Sequence, residues 1–337
     1  MMTDVAASPL RVGLLGLGRS GLHLLECFAT GGPLRVVAAF ANPSVAELLS
    51  PFGVRLVADP QELCAATDVD VLWIAEHDAI RSDLSLPELL SAKHVILETP
   101  IGVTPAVLDQ AFNVALERGR QLLVRHPRRT DPEFLHALSV TQDQSIGQIR
   151  SAKLTSWTYA IPPQGAVRGT GPLQPDGLDD TQITKTRFVT HAMDQLVSLI
   201  DDRPVRVFAI GELDASGHFN LLARFSLSMH ILFERGCQAE IDIRLDSPTQ
   251  FQSGWMLTAQ RGGYAKGRRF TLTDEGEIFD APVSLGDDDK PTDEFVGLAQ
   301  QIRSAERNTT EEARLRTVVA LLDGAQRSLE SRQAVDL

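Results

Sequence analysis

The first third of the chain alternates short apolar, β-branched runs with longer segments of helical periodicity. Each run has the length of a strand, and the segment after it carries apolar residues at helical spacing. Strands alternating with helices at this spacing form βαβ units, so the pattern predicts a parallel sheet covered by helices. Predicted strands are residues 10–15, 35–41, 54–57, 69–75, 94–97 and 121–124, and predicted helices are residues 21–30, 44–49, 59–66, 84–92 and 104–118.

From about residue 149 the pattern changes to long segments in which apolar and polar residues alternate. Such segments are typical of an antiparallel sheet with one buried face. Arg235-Gly236 and Asp274-Glu275-Gly276 are turn signals between them. Residues 160–182 are rich in Pro, Gly and Asp and predict a long loop. Predicted strands are residues 149–157, 205–212, 223–234, 238–245, 254–260, 269–272 and 277–279, with helices at residues 187–200 and about 310–332.

The two patterns predict two domains of different class. Residues 1–125 are expected to form an α/β domain with a doubly wound parallel sheet, and residues 126–337 an α+β domain with a mostly antiparallel, open sheet. A chain of 337 residues fits two domains at roughly 100–200 residues each. The sequence leaves open whether the C-terminal helix packs back on the first domain.

Charge and composition exclude several classes of function. The formal net charge of −12 opposes a nucleic-acid partner, which requires a basic surface. No apolar run reaches the roughly 18–20 residues that span a bilayer, and the N-terminal segment lacks the pattern of a signal peptide. We therefore expect a cytoplasmic protein without a membrane partner. Cys27, Cys64 and Cys237 are far apart, which predicts neither a disulfide framework nor a metal site.

The strongest motif is a glycine loop between the first strand and the first helix. Gly16, Gly18 and Gly21 have the spacing G-x-G-x-x-G of a dinucleotide-binding Rossmann domain. They permit a tight turn, close approach of a pyrophosphate, and close packing of helix on strand. The helix N-terminus, with Arg19 and Ser20, then faces the phosphates. The alternatives are a turn without a ligand, or a scaffold in which the Arg19 side chain fills the loop.

The end of the second strand bears on which nicotinamide cofactor binds. An Asp or Glu at this position hydrogen-bonds the adenosine ribose of NAD, but the segment after residue 41 contains Asn42 and Ser44 instead. Both can bind a ribose without repelling a 2′-phosphate. The sequence therefore favours NADP over NAD, although no arginine stands beside them to bind that phosphate.

Four segments carry a resemblance to a known family. Residues 93–100 resemble the pattern K-H-V-x-x-E-K-P, residues 124–129 resemble V-G-H-x-x-R, and residues 189–194 resemble G-x-H-x-x-D. Residues 146–149 resemble the segment with which the large sheet of that family begins. Together they resemble the Gfo/Idh/MocA family, named for glucose–fructose oxidoreductase and inositol dehydrogenase. The resemblance implies a Rossmann domain joined to a sheet domain and nicotinamide-dependent oxidation or reduction of a small sugar-like substrate. It also implies a homodimer or homotetramer formed through the outer face of the sheet.

Three positions depart from the family pattern. Thr99 replaces the lysine of E-K-P, which in the family helps to move the hydroxyl proton. A threonine hydroxyl can hydrogen-bond a substrate but is no general acid or base near neutral pH. Arg187 replaces the aspartate of D-x-x-x-H, and Arg81 replaces the histidine of T-P-x-x-x-H. Because guanidinium groups bind carboxylates and phosphates, we hypothesise an anionic substrate. The alternative is that these arginines face solvent or pair with an acid such as Asp78.

Two histidines remain as candidates for proton handling. His191 keeps the family position and shares a helix face with Arg187, four residues earlier. His126 follows a strand end, where a structural, hydrogen-bonded histidine is the alternative. The catalytic candidates are thus His191, Thr99, Arg187 and His126, with no metal. Glu98 is assigned to the cofactor site, with shaping of the turn before Pro100 as its alternative.

Two functions remain open at this stage. The first is an NAD(P)-dependent oxidoreductase with altered chemistry. The second is a non-catalytic regulator that binds a nucleotide or metabolite on the same fold, which the replacement of both Lys and Asp favours.

Overall fold

The computed structural model describes residues 8–17, 19–75, 85–99, 101–142, 146–159, 180–211, 226–244, 246–285, 293–304 and 306–337. They group into two compact units. The first contains the described residues up to Arg125 together with the later segment 293–308, and the second contains the remaining described residues. The domain boundaries expected from the sequence stay a prediction.

A parallel sheet forms the centre of the first unit. Its strand order is β3-β2-β1-β4-β5-β6, and every adjacent pair is parallel. This confirms the predicted doubly wound sheet. Its elements are β1 (Leu10–Leu15), α1 (Arg19–Ala29), β2 (Leu34–Phe40), α2 (Ala46–Leu49), β3 (Arg55–Val57), α3 (Pro60–Ala65), β4 (Val71–Ile74), α4 (Leu86–Ala92), β5 (His94–Leu97), α5 (Pro105–Arg118) and β6 (Leu122–Val124).

Local sequence signals set the helix ends of this unit. Asp59 and Ser85 cap α3 and α4 with complete capping boxes, which satisfy N–H groups that a helix start leaves unpaired. Thr104 accepts a hydrogen bond from the N–H of Val107 at the start of α5. Gly119 ends that helix with a φ of 61°, a left-handed conformation that glycine adopts at little cost.

An aromatic cluster in this core includes a helix that the sequence pattern did not predict. The rings of Phe28 and Trp73 lie 5.7 Å apart, and Phe295 lies 4.9 Å from Phe28. Phe295 belongs to α8 (Glu294–Ser304), whose Ala299 and Ile302 are also buried in the core. Its apolar residues therefore pack against distant parts of the first unit, and the aromatic contacts stabilise the helix.

The second unit contains a mixed but mostly antiparallel sheet of order β14-β13-β12-β11-β7-β10-β9-β8-β15. Its β7 and β10 are parallel, and its other described pairs are antiparallel, which confirms the predicted class. The elements are α6 (Pro132–Gln142), β7 (Ile149–Tyr159), α7 (Asp180–Leu199), β8 (Pro204–Gly211), β9 (Ser226–Phe233), β10 (Gln238–Arg244), β11 (Asp246–Ala259), β12 (Gly262–Ala265), β13 (Arg268–Leu272), β14 (Ile278–Pro282), α9 (Thr309–Ser331) and β15 (Val335–Asp336).

Three features of this unit differ from the predicted pattern. The helix α6 was not predicted, and α7 begins at Asp180, inside the predicted loop of residues 160–182. The strand β12 was also missed, because Gly262 and Gly263 count against a strand. Yet a Cβ on either glycine would overlap a carbonyl oxygen of a neighbouring strand, so close strand approach requires both glycines. The predicted turns at Gly236 and Gly276 are present, with φ of 88° and 84°.

Helices cover one face of this sheet. The long helix α9 packs on β8 and α7, and the hydroxyl of Ser328 accepts a buried hydrogen bond from the N–H of Ala209 at 2.9 Å. The helix therefore belongs to the second unit, and the shorter α8 contributes to the core of the first. Among the described helices, none combines the length and apolarity that a bilayer crossing needs.

Candidate functional site

The glycine loop has the close packing that its spacing predicts. Gly16 has a φ of 88°, and its N–H donates to the carbonyl oxygen of Phe40 at 2.9 Å. A Cβ on Gly21 would lie 2.8 Å from the carbonyl oxygen of Gly16, so only glycine lets α1 approach the end of β1. Ser20 lies in the first turn of α1. Gly18 and the side chain of Arg19 lie outside the described residues.

The carboxyl ends of four strands meet at one edge of the parallel sheet. Backbone hydrogen bonds join the N–H of Ala75 to Leu15, of Glu98 to Ile74, and of Arg125 to Leu97. The strand order reverses between β1 and β4, and dinucleotides bind at such a switch point, beyond the carboxyl ends. The loop and strand ends of the first unit therefore fit a dinucleotide.

The corner after β2 carries the groups that bear on cofactor choice. The carbonyl oxygen of the Asn42 side chain accepts a hydrogen bond from the N–H of Ser44 at 3.0 Å. Both side chains are exposed. The corner therefore presents an amide nitrogen and a hydroxyl to a ligand, and it brings no carboxylate from its own segment.

The carboxylate of Glu98 contacts groups within the first unit. It accepts from Nε1 of Trp73 at 3.1 Å and from Nη1 of Arg125 at 3.3 Å. Arg125 also donates to Glu294 at 3.0 Å and lies over the ring of Phe295. These contacts favour the structural alternative for Glu98, whose place in the cofactor site stays a prediction. The next residue, Thr99, is buried.

Pairing with carboxylates opposes the effect of burial on the charge of Arg125. Burial works to lower the pKa of Arg125, but Glu98 and Glu294 together raise it. Burial raises the pKa of Glu294, against the pull of Arg125. Sequence reasoning missed this cluster, although Arg125 stands where the family pattern V-G-H-x-x-R has glycine.

A second cluster lies in the second unit and brings together two predicted residues. The ring centroids of His126 and His191 lie 6.3 Å apart, and both residues are buried. His191 and Asp194 lie on α7, and His126 immediately precedes a 3₁₀ turn at residues 127–130. The Nδ1 atom of His126 lies 3.5 Å from Oδ2 of Asp194.

An arginine that the sequence did not single out organises this cluster. Arg129 donates from Nε and Nη2 to the two oxygens of Asp194, at 2.8 and 2.5 Å. It also donates to Glu311 of α9 at 2.6 Å, and Arg314 donates to the other oxygen of Glu311. The signal for Arg129 and Asp194 was their place in the two family segments. Nothing in the local sequence pointed to Glu311.

Burial and the arginine charge keep His126 neutral. Burial, and then Arg129, lower the pKa of His126 to about 3. The carboxylates of Asp194 and Glu311 raise the pKa of Arg129 despite its burial. Likewise Arg129 holds the pKa of Glu311 below its usual value, although burial opposes this.

His126, Asp194 and Glu311 are also a geometric candidate for a metal site. Their ligand atoms lie within 4.8 Å of one another. However, the guanidinium of Arg129 is bonded to both carboxylates, and Arg314 adds a second positive charge. A divalent cation would have to displace these pairs from a cluster whose charges already balance. We therefore treat it as a cluster organised by arginine.

A cavity of about 520 Å³ lies within the second unit, but it is separate from the two histidines. Its lining includes Arg129 and Arg314, together with residues of α6 and the end of α7, but neither His126 nor His191. The side chain of Arg187 lies outside the described part of the structure, and so do the whole residues Arg81 and Asp78. Their roles stay predictions.

Comparison with known proteins gives a consistent result. A family model described as an oxidoreductase family with an NAD-binding Rossmann fold matches residues 10–126. Inositol 2-dehydrogenase of Rhizobium meliloti is 26% identical over 200 residues, which are 59% of this chain and 57% of that protein. The 1-carboxy-3-chloro-3,4-dihydroxycyclohexa-1,5-diene dehydrogenase of Comamonas testosteroni is 26% identical over 155 residues, which are 44% of this chain and 38% of that protein. The chain thus spans about half the length of the curated relatives it matches.

A solved structure extends the likeness to nearly the whole chain. An NAD-binding protein from Listeria innocua has a TM-score of 0.74 at 16% identity, and the match covers 98% of this chain and 100% of that one. At this identity the match shows a shared fold.

Proposed function

Because the chain belongs to the Gfo/Idh/MocA oxidoreductase family, we propose that it is an NAD(P)-dependent oxidoreductase acting on a small sugar-like or carbonyl substrate. The observation that carries this proposal is the glycine loop, whose Gly16 turn and closely packed Gly21 lie at the switch point of the parallel sheet. This arrangement fits the pyrophosphate of a dinucleotide. A cytoplasmic location, expected from the sequence, is part of the same proposal.

The residues of this chain supply position and proton handling. When bound, the nicotinamide supplies or accepts the hydride. In the oxidation direction His191 takes the proton of the substrate hydroxyl, and in reduction it returns that proton. Thr99 hydrogen-bonds the substrate oxygen in place of the family's lysine, without moving a proton of its own. His126 contributes as a neutral hydrogen-bonding group.

An anionic substrate is the more specific part of the proposal. Arg187 and Arg81 replace the family's Asp and His, and arginine binds carboxylates in a two-point geometry. The Comamonas relative is named for a substrate that carries a carboxyl group. For the cofactor we propose NADP over NAD, since the exposed corner at Asn42 and Ser44 would not repel a 2′-phosphate.

A non-catalytic regulator is the second candidate function. The observation that favours it is Thr99, because a buried threonine cannot replace the acid–base role of lysine. Such a protein would bind the dinucleotide without turning over any substrate.

We also propose a homodimer or homotetramer formed through the outer face of the second sheet. The strand register places Phe208, His230, Glu240, Lys153 and Met256 in one row across this face, opposite the side on which α9 packs. Lys153 pairs with Glu240 at 2.8 Å within the row, and the two ends of the row are the apolar Phe208 and Met256. Nearby Leu232 and Ile210 are also exposed.

Light scattering tests this oligomer. We expect the protein to elute as a dimer or tetramer and a Leu232→Lys, Met256→Lys variant to elute as a monomer. A monomeric wild-type protein at micromolar concentration would contradict it. Leu116→Lys, an exposed leucine of α5, is the matched control and should leave the oligomer intact.

One assay separates the two candidate functions. The protein is mixed with NADPH or NADH and a panel of ketoses, keto-acids, sugar acids and enones, and the absorbance of the reduced cofactor is followed. An oxidoreductase consumes cofactor with at least one substrate, and His191→Ala abolishes this without abolishing cofactor binding. Tight cofactor binding without turnover across the panel would favour the regulator. Absence of any cofactor binding would overturn both.

A further inference from the structure

The buried cluster of the second unit contains a histidine whose orientation depends on a carboxylate and an arginine. We propose that Asp194 and Arg129 are positioning residues that hold His126 in its Nδ1–H form, which leaves Nε2 as a neutral hydrogen-bond acceptor for a substrate hydroxyl other than the one that reacts. The inference rests on the proposed function for its catalytic meaning, while the state of His126 can be measured without any substrate.

The first step concerns the two facing atoms. Nδ1 of His126 lies 3.5 Å from Oδ2 of Asp194, and both side chains are only 2% exposed. Nδ1 makes no hydrogen bond within the described part of the chain, so Oδ2 faces it as a neighbouring charge rather than as a bonded acceptor. A lone pair on Nδ1 would face the lone pairs of a carboxylate in a low-dielectric site, whereas an N–H there is attracted to it. The proton therefore belongs on Nδ1, which leaves Nε2 as the acceptor.

The second step concerns the carboxylate itself. Asp194 is fixed by two parallel hydrogen bonds from Arg129, and this geometry holds both oxygens in place. Arg129 is in turn bonded to Glu311 on a different helix. Because Asp194 cannot rotate away from its arginine, Oδ2 stays on the side of His126.

The third step concerns charge. The groups that face His126 are Asp194 and His191 from α7, Arg129 from the following turn, and Glu311 and Arg314 from α9. The two arginines and two carboxylates balance, and burial opposes a further positive charge. The cluster thus holds one tautomer and one protonation state. Proton transfer is left to His191, and His126 accepts a hydrogen bond from a second hydroxyl of the substrate.

This arrangement makes Asp194→Asn the most informative variant. An asparagine keeps the volume and one oxygen for Arg129, but its NH₂ group would face Nδ1 of His126 and donate to it. The expected result is a reversed tautomer, with the proton on Nε2 and no acceptor facing the substrate. Asp201→Asn, an exposed position just after the same helix, is the matched control and should leave the tautomer unchanged.

The direct test is nitrogen-15 NMR of the histidine rings, with the His126 signals assigned by their loss in His126→Gln. In the wild-type protein we expect the Nδ1–H form, unchanged between neutral and mildly acidic pH. An Nε2–H form or an imidazolium in the wild type would overturn the inference, and this measurement requires no variant to fold. In folded Asp194→Asn, an unchanged tautomer would overturn it as well.

Kinetics supply the second readout once a substrate is found. Loss of an orienting partner is expected to lower kcat about 10- to 100-fold, with a smaller change in KM, and Arg129→Lys should retain more activity than Arg129→Gln. An equal loss in both Arg129 variants would indicate a merely structural role and overturn the positioning role. If no substrate is turned over at all, the proposed oxidoreductase function fails, while the NMR result still decides the state of His126.

Discussion

Arg125 donates a hydrogen bond from Nη1 to Oε1 of Glu98 over 3.3 Å, and their side chains are only 11% and 5% exposed. The same guanidinium reaches Glu294 on the later segment of the chain at 3.0 Å. The arginine at the position of the family's glycine thereby pairs with two carboxylates, one of them next to Thr99, and the following prediction depends on this pairing.

Arg125→Met is expected to lower the free energy of unfolding by about 3–5 kcal/mol, because it leaves the buried carboxylate of Glu98 without its positive partner and with only the N–H of Trp73. Arg55→Met removes a pair that is about half exposed, and such a pair contributes at most about 1 kcal/mol. Urea denaturation measures both. Equal small losses would show that Arg125 does not carry a buried charge pair.

The pH dependence of stability tests the neutral state of His126. Its pKa is about 3 in the folded protein against about 6.5 in an unfolded chain. The unfolded state therefore binds the proton first, so stability is fully present above about pH 6.5 and falls as the pH drops toward 3, by about 1.4 kcal/mol for each pH unit at most. Denaturation between neutral pH and about pH 4.5, compared with His126→Gln, measures this term.

In that comparison the His126→Gln protein should show a shallower decline than the wild type over the same range. Other acid-sensitive groups remain in both proteins, so only the difference between the two curves reports on His126. Parallel curves would mean that His126 is already protonated or solvated in the folded protein.

Two glycine-to-alanine substitutions with opposite expected effects on stability test the packing of the dinucleotide loop, one at the loop and one as a control on α8. Gly21→Ala places a Cβ 2.8 Å from a backbone oxygen, which should destabilise the protein by about 1–3 kcal/mol and weaken cofactor binding. Gly297→Ala lies on the exposed face of α8 with no atom within 4 Å, and should stabilise by about 0.5–1 kcal/mol. Thermal unfolding and fluorescence titration with NADPH measure both effects. A Gly21→Ala protein with unchanged affinity would contradict the close approach of α1.

Cofactor preference provides a separate prediction. Asn42→Asp retains an oxygen to accept from the N–H of Ser44 but adds a negative charge where a 2′-phosphate would lie. We expect NADPH affinity to fall about tenfold or more, which corresponds to about 1.4 kcal/mol, while NADH affinity is kept or improved. Asn42→Ala serves as the control, because it removes the oxygen that accepts from the N–H of Ser44 and adds no charge. An equal loss for both cofactors in Asn42→Asp would place the 2′-phosphate elsewhere.

The sequence predicted the parallel sheet well because its strands consist mostly of apolar residues, and its helices begin at recognisable caps such as Asp59, Ser85 and Thr104. It missed α8 and β12 because tertiary contacts stabilise them. Phe295 packs on Phe28 and Trp73, and the glycines of β12 make room for neighbouring backbone.

The candidate site was predicted only where a local motif existed. His126 and His191 were identified from two family segments, and the structure brings their rings together. The groups that set their chemistry could not be predicted, because Arg129 pairs with Asp194 and Glu311 across 65 and 182 residues. Likewise Arg125 and Glu294 are 169 residues apart. A one-dimensional pattern carries no information on such pairs.

The central claim is that this chain transfers a hydride to or from a nicotinamide cofactor. The most direct measurement uses two samples of reduced cofactor, each with a single deuterium on one of the two faces of C4, together with a carbonyl substrate identified in the absorbance screen and mass spectrometry of the isolated product. Transfer predicts that with one of the two samples the product carries the deuterium and the oxidised cofactor has lost it, with both changes absent in His191→Ala. Deuterium retained in the cofactor of both samples, and a carbonyl panel recovered without label from either, would contradict the oxidoreductase and leave the regulator.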